Sequence, residues 1–326
     1  MSDFDVKEKR FEQDIEEFLT TQGGFMKGDP KSFDRELGLD KATFISFLID
    51  SQPKTWERYE KIYGADSEKQ VIERFCREVK MVGLLRVLRQ GFTDRGIKFK
   101  IVYWKPETSI NVTTVKQYES NILHCTRQLH YSLNNENSID IVLFVNGIPI
   151  VSMELKCQFT GQSTANAIAQ YKFDRAGKDA IFTFKERVLV HFAVDLSRVY
   201  MTTRLEGAKT YFLPFNQGSN GAGKVGGQGN PINEDGYDTA YLWESVLCKD
   251  RLLEILHKYL HLQIERDDNG DIKSERMIFP RYHQLDVVTK LLEDVKENGS
   301  GKSYLIQHSA GSGKSNSIAW LAHRLS

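Results

Sequence analysis

Ser138–Lys156 reads SIDIVLFVNGIPIVSMELK. Two apolar runs, Ile141–Val145 and Ile148–Val151, flank Asn146-Gly147, a dipeptide typical of tight β-hairpin turns. Nearly continuous apolar strands are buried on both faces, which places the pair inside a sheet rather than at its edge. Asp140 stands near the start of the first run, and the second runs into Glu154 and Lys156. Residues i and i+2 of a strand share a face, so Glu154 and Lys156 point the same way. Such a set can hold a hard divalent cation on carboxylate oxygens, with the Leu155 carbonyl as a further ligand and Lys156 to orient a water or add positive charge. That is the chemistry of metal-dependent phosphodiester hydrolysis. Read alone, the same residues also suit a strand-start acid and a solvated strand edge. Charges that end a doubly buried strand pair are costly, which favours the functional reading.

The turn makes a sharper demand. A strict two-residue turn at Asn146-Gly147 pairs Val145 with Ile148 and Asp140 with Met153, leaving Asp140 and Glu154 on opposite faces. A three-residue loop, Val145-Asn146-Gly147 with Gly147 left-handed, pairs Phe144 with Ile148 and brings both acids to one face. The metal site therefore predicts an odd-length turn at Val145–Gly147.

Outward from the hairpin, helices are expected at Phe11–Leu19, Lys41–Ile49 and Glu68–Arg89. A strand is expected over Ile97–Tyr103, a helix at Thr113–Ile122 and an extended segment at His124–Tyr131. Beyond the hairpin come a helix at Ser163–Arg175 and strands at Arg187–Asp195 and Val199–Thr203. This order describes an α/β sheet with a helix packed across it. Gly218–Gly229 is half glycine and reads as a loop. Its Gly221-Ala222-Gly223-Lys224 imitates a phosphate loop but has neither a leading strand nor a Ser or Thr after the lysine. Thr239–Leu262 has the pattern of one long amphipathic helix. Glu265–Arg276 (ERDDNGDIKSER) is the most charged stretch and predicts a linker between an endonuclease domain at residues 1–264 and a second unit at residues 277–326.

Lys+Arg and Asp+Glu balance at 44 each, so nucleic-acid binding must come from a local patch and not from a global field. The hydrophobic share of 40% and charged share of 27% are those of a soluble globular protein. Four widely spaced cysteines argue against a zinc site or disulfide framework and suit a reducing cytoplasm. No apolar run is long enough for a membrane span.

DIVLFVNGIPIVSMELK followed by FTGQSTANAIAQYKFDR resembles the N-terminal endonuclease domain of type I restriction enzyme R (motor) subunits. VLVHFAVDLSRVYMTTRL and TYFLPFNQG are similar to the strands and loop that follow in that family. The resemblance implies a PD-(D/E)xK restriction-endonuclease-like mixed sheet flanked by helices. It makes Asp140 and Glu154 ligands of Mg2+ and Lys156 the catalytic lysine. Its Gln and Tyr on the next helix correspond to Gln170 and Tyr171, although the spaced Q-x-x-x-Y form is absent because Asp174 stands four residues after Gln170. An acid from the first helix completes such sites; Glu12 is the choice here, with Glu16 equal on spacing. The implied partners are double-stranded DNA and the methyltransferase (M) and specificity (S) subunits. Another helicase-linked nuclease, of type III restriction or repair, is one alternative, and a non-cutting DNA-gripping or docking module is another.

In the second unit, Tyr304–Gln307 reads as a short strand leading into a Gly loop (Gly311, Gly313), Lys314, Ser315 and a helix. In that order, loop amides and Lys314 would hold ATP phosphates and Ser315 a Mg2+ ion. His308 takes the place of the first glycine, so the strict motif is not met; the loop instead resembles the first motif of helicase superfamily two, which tolerates this. In that superfamily Gln284 would be the adenine-reading glutamine. The unit thus reads as the start of a RecA-like P-loop lobe. Gly299-Ser300-Gly301-Lys302-Ser303 also fits a phosphate-loop pattern, but it precedes the strand and is expected to be a turn.

Overall fold

The computed structural model describes residues 3–158, 161–175, 178–309 and 311–325. In chain order α1 (Asp3–Thr21) and β1 (Met26–Lys27) come first, then the short pair β2 (Phe33–Asp34) and β3 (Leu39–Asp40). A helical layer follows, α2 (Lys41–Ser51), α3 (Pro53–Tyr63), α4 (Ser67–Val82) and α5 (Leu84–Gln90), with the pair β4 (Phe92–Asp94) and β5 (Ile97–Phe99). After α6 (Val112–Glu119) come β6 (Leu123–His130), β7 (Ser138–Val145), β8 (Ile148–Leu155) and α7 (Thr164–Phe173). The chain continues through β9 (Val190–Val194), β10 (Val199–Thr202), β11 (Leu213–Pro214) and α8 (Lys249–Glu254). It ends with β12 (His261–Arg266), β13 (Ile272–Ile278), α9 (Tyr282–Asn298) and α10 (Lys314–Leu325).

Seven strands form one mixed sheet in the order β1-β6-β7-β8-β9-β10-β11. β1–β6 and β8–β9 pair in parallel and the others antiparallel. A parallel neighbour cannot be reached by a tight turn, and α7 lies in the crossover from β8 to β9. The two sides of the sheet serve different cores. Ile141, Leu143 and Val145 of β7, with Val151, Met153 and Leu155 of β8, join Phe11, Ile15 and Leu19 of α1 and the α2–α5 layer. Val142 and Phe144 face the other way, against Ala167 and Tyr171 of α7. Every residue of β8 is buried, as its unbroken apolar run requires.

The hairpin corrects one expectation and keeps its consequence. The turn is a strict two-residue one: Val145 pairs with Ile148, and Asn146 and Gly147 have φ of 51° and 80°, the left-handed pair of a type I′ turn. The odd residue lies inside β8. Phe144 pairs with Pro149 but Leu143 with Val151, so Ile150 is a bulge. Proline has no N–H to give the ladder and enters a central strand only where pairing is already interrupted. Beyond the bulge Ile141 pairs with Met153, which sets Asp140 opposite Glu154 on one face.

Other segments depart from the pattern for local reasons. The expected helix Glu68–Arg89 is cut at Gly83, whose φ of 84° and ψ of 148° leave the helical region while its N–H caps the Val79 carbonyl. Thr239–Leu262 is not one helix: Cys248 is extended at ψ 149°, between a wide π-helical turn at Leu242–Val246 and α8, and a second such turn covers Ile255–Tyr259. The strand predicted over Ile97–Tyr103 stops at Phe99. Glu265–Arg276 is no open linker but most of the antiparallel hairpin β12–β13. Its turn is held by Asp267 Oδ1, which accepts from the amides of Asn269 and Asp271. Tyr304–Gln307 forms no strand, and Leu305 is 96% exposed; a strand needs a neighbour, and none pairs with it among the described residues. Met277, Phe279, Leu285, Val288, Leu292 and Trp320 join the large core, so residues after the hairpin share it with those before. All four cysteines are without disulfides, and among the described residues no helix is long and apolar enough to cross a membrane.

Gly147 tests how tightly the hairpin is seated. A Cβ there would lie 2.4 Å from the Asp40 carbonyl oxygen and 2.6 Å from the Phe44 nitrogen, whereas Gly270, also left-handed at φ 87°, faces open space. Gly147→Ala is expected to cost more than roughly 3 kcal/mol in urea unfolding and Gly270→Ala about 1 kcal/mol. Equal losses would show that the contact with β3 and α2 carries no weight.

Candidate functional site

The bulge in β8 gathers three buried carboxylates at one end of the sheet: Asp140 (8% exposed), Glu154 (0%) and Glu12 of α1 (3%). Asp140 Oδ2 accepts the Leu155 amide at 2.7 Å, a cross-strand bond that pins it beside β8. Gln128 Nε2 donates to Asp140 Oδ1 at 3.2 Å and to Glu12 Oε1 at 2.9 Å, so one amide bridges two acids. Gln128 reaches them from a left-handed backbone, φ 48°, in the middle of β6. That conformation costs of order 1 kcal/mol and persists only where the surroundings impose it. Arg127 lies 3.3 Å from Glu12 Oε2. Of the two helix acids that are equal on spacing, Glu12 is the one joined to Asp140; Glu16 pairs with Lys27 at 3.0 Å and Arg127 at 3.5 Å.

Glu154 is held by Arg175, at 2.7 Å from Nε to Oε1 with both side chains at most 3% exposed. Its Oε2 is buried with no hydrogen-bond partner among the described residues. Burial, and then the charge of Asp140, push Glu154 up to about 8 against the pull of Arg175 and Lys156. The same two causes push Glu12 up to about 7, opposed by Gln128 and Arg127. Lys156 follows β8 and donates its amide to the Val194 carbonyl at 2.9 Å; its charge is felt at Glu154. Leu155 contributes its amide to Asp140 and its side chain to the core.

The α7 residues divide. Tyr171 is fully buried behind the site, its hydroxyl 2.8 Å from Ser152 Oγ, which is itself 2.8 Å from His191 Nδ1. Burial drives the Tyr171 phenol well above its ordinary value, with Glu154 adding to the rise. Gln170 is half-buried, and its carbonyl accepts the amides of Asp174 and Arg175. Arg175 and Gln128 were not foreseen from the sequence. Two buried acids demand a nearby cation, but which of many arginines meets it depends on where α7 ends.

Whether this set suits a metal can be tested on its donors. Among the described residues no group of three or more His, Cys, Asp or Glu side chains could hold a metal ion; Glu12 reaches Asp140 through Gln128. Asp140 and Glu154 do face each other, one buried carboxylate oxygen lacks a partner, and both Glu154 and Glu12 resist ionising where they stand. A divalent cation would relieve both conditions.

A second cluster lies at the Gly loop. Gln284 is buried, accepts the Arg281 amide at 2.8 Å and donates to the carbonyls of Ser312 at 3.2 Å and Gly313 at 2.9 Å. Lys314 Nζ donates to the His308 carbonyl at 3.0 Å and Ser315 is exposed. Gly311 and Gly313 are left-handed, at φ 71° and 80°. A cavity of about 230 Å3 separates this loop from the sheet edge at Thr203 and Leu213. Lys302, in the earlier Gly-Lys-Ser, is paired with Asp294 at 2.9 Å.

The raised carboxylates fix a pH dependence. In the metal-free chain Glu154 and Glu12 keep protons that the unfolded chain releases near 4.5, so their contribution is full below pH 4.5 and is lost as pH rises through about 7 to 8. Buried His191, pushed down to about 3, acts in the opposite sense and loses its contribution as pH falls below 6.5. The difference between wild type and Glu154→Gln isolates the acid. Unfolding in EDTA should show the variant gaining at least roughly 2 kcal/mol on the wild type between pH 5 and pH 8. Parallel curves would sink the assignment.

A family model for the type I restriction enzyme R protein N terminus matches residues 35–210, more than half of the chain. That span contains Asp140, Glu154, Lys156, Gln170, Tyr171 and Arg175; Glu12 and the Gly loop lie outside it. Among relatives, a protein of Methanocaldococcus jannaschii named "Putative type I restriction enzyme MjaVIIIP endonuclease subunit" is 24% identical over 99% of this chain and 29% of its own length. A second protein of that organism, named in the same words for MjaVIIP, is 26% identical over 64% of this chain and 18% of its own. The chain thus spans less than a third of the length of either relative. By the match over residues 35–210, this chain belongs to the family of type I restriction enzyme R protein N termini.

Proposed function

We propose that this chain carries the DNA-cutting centre of a type I restriction enzyme motor subunit, built on a PD-(D/E)xK fold. The observation that carries the reading is the meeting of Asp140 and Glu154 across the β7–β8 pair, with the buried Glu154 Oε2 open to a ligand. A Mg2+ ion held by Asp140 and Glu154, with the Leu155 carbonyl as a further donor, would supply Lewis-acid activation of water and offset charge on the phosphorane-like transition state. The water oxygen bonds to phosphorus and gives up a proton, one P–O ester bond breaks, and the departing oxygen takes up a proton in its place, so the step is a net addition of water across that bond. Lys156 would orient that water or stabilise the added charge. Gln128 holds Asp140 and Glu12 together, and Leu155 N–H fixes the Asp140 carboxylate. Gln170 and Tyr171 would support the site from α7.

The Gly loop is proposed to hold ATP as the opening of a RecA-like lobe. Lys314 would exchange the His308 carbonyl for phosphate oxygens, Ser315 would serve Mg2+, and Gln284 would read the base. In the parent protein cutting would be coupled to ATP-driven translocation on double-stranded DNA, beside methyltransferase and specificity subunits.

A second reading, a DNA-gripping module in which the acids are structural, has its own support. Among the described residues, five of the six oxygens on Glu12, Asp140 and Glu154 already have protein partners, leaving Glu154 Oε2. The assembled complex separates the two. With Mg2+ and ATP, Asp140→Ala, Glu154→Gln and Lys156→Ala should each lower DNA cleavage at least about 100-fold while ATP hydrolysis persists. Lys314→Ala should abolish ATP hydrolysis. An Asp140→Ala complex that cuts like wild type would establish the gripping module instead.

A further inference from the structure

We infer that Arg175 is the positioning residue that presents Glu154 to a divalent cation through one oxygen only. The inference rests on the nuclease reading above and concerns a residue that reading does not use. Arg175 follows the C-terminal end of α7, where its own amide donates to the Gln170 carbonyl at 3.2 Å. Its three guanidinium nitrogens go to three separate partners, two on strands and one on the residue that follows β6. Nε donates to Glu154 Oε1 of β8 at 2.7 Å, and Nη2 to the Ser138 carbonyl of β7 at 2.7 Å. Nη1 donates to the Tyr131 hydroxyl, just past β6, at 3.3 Å. The guanidinium carbon also lies 5.4 Å from the centre of the Tyr131 ring.

A planar group fixed at three corners and 3% exposed has little room to swing away. Glu154 Oε1 is therefore committed to Arg175, and among the described residues Oε2 is the oxygen left without a partner. Chelation by both oxygens is closed, and the carboxylate can give a cation a single, aimed bond. One-oxygen coordination leaves positions on a small hard cation for water and a phosphate oxygen, which metal-assisted hydrolysis needs. A mere counter-charge would not require this geometry. A lysine would neutralise Glu154 as well, but its ammonium lacks the planar fork that joins β7, β8 and Tyr131.

The test is Mn2+ binding to the full-length subunit by calorimetry, with Asp140→Ala as the baseline. Arg175→Lys keeps the charge and loses the fork; it should weaken the Asp140-dependent Mn2+ affinity about 10- to 100-fold. Circular dichroism and melting in EDTA should show that the variant still folds. The apparent Mg2+ requirement for cleavage should rise in parallel, and high Mn2+ should restore the rate. A purely structural residue would lower the melting temperature and leave the affinity alone. Equal or tighter Mn2+ binding in folded Arg175→Lys would overturn the inference while leaving the nuclease reading intact. Absence of any Asp140-dependent Mn2+ binding in wild type would instead overturn the metal reading and this inference with it. Should Arg175→Lys not fold, Tyr131→Phe removes one anchor of the guanidinium. Its expected loss of affinity is about fivefold, and an unchanged affinity there overturns the inference equally.

Discussion

Between Leu143 and Phe144 the partner strand spends one residue more than β7 does, and that residue, Ile150, decides which way every later side chain of β8 points. A side chain on a strand has two possible faces, so a shift of one residue moves a whole set from one to the other. Without the bulge Glu154 would enter the helical core beside Met153's neighbours and Asp140 would be left alone. With it, Asp140, Ser152 and Glu154 share the face covered by α7, and Met153 and Leu155 fill the core opposite. Pro149 makes this break tolerable, because the amide a regular ladder would need there does not exist.

Bringing two carboxylates face to face in a buried place is expensive, since each loses its hydration and repels the other. The surrounding donors offset that cost: the Leu155 amide and Gln128 on Asp140, Gln128 and Arg127 on Glu12, Arg175 on Glu154. Gln128 can act twice only because its backbone adopts a left-handed turn within a strand. The compensation is incomplete, as the raised acids and the open Glu154 oxygen both show. The large two-sided core tolerates that deficit: each fully buried Leu, Ile or Phe contributes roughly 1.5–3 kcal/mol.

The Gly loop stands in a different relation to the rest. Its helices are anchored in the main core, with Trp320 Nε1 donating to the Tyr259 carbonyl at 2.8 Å and Leu285, Val288 and Leu292 of α9 buried. The loop's own polar groups are turned inward, Lys314 onto His308 and Gln284 onto Ser312 and Gly313. The segment before it pairs with no strand among the described residues and leaves Leu305 exposed to solvent.

The hairpin, its burial, the Asn-Gly turn, the α7 crossover and the identity of the acids at the strand ends were legible in the sequence, because each follows from local pattern and period. Pro149 was also in view; a proline in a run that reads as a central strand signals a bulge, and it places the odd residue more surely than the turn does. The choice of Glu12 over Glu16 was not legible, nor was the arrival of Arg175 or the reach of Gln128. Those depend on where α1, α7 and β6 end in space relative to β7 and β8, and residues as far apart as Glu12 and Arg127 meet only once the sheet has closed. Local pattern decides which residues are costly to bury; only the tertiary arrangement decides which partners meet them and which oxygen is left open.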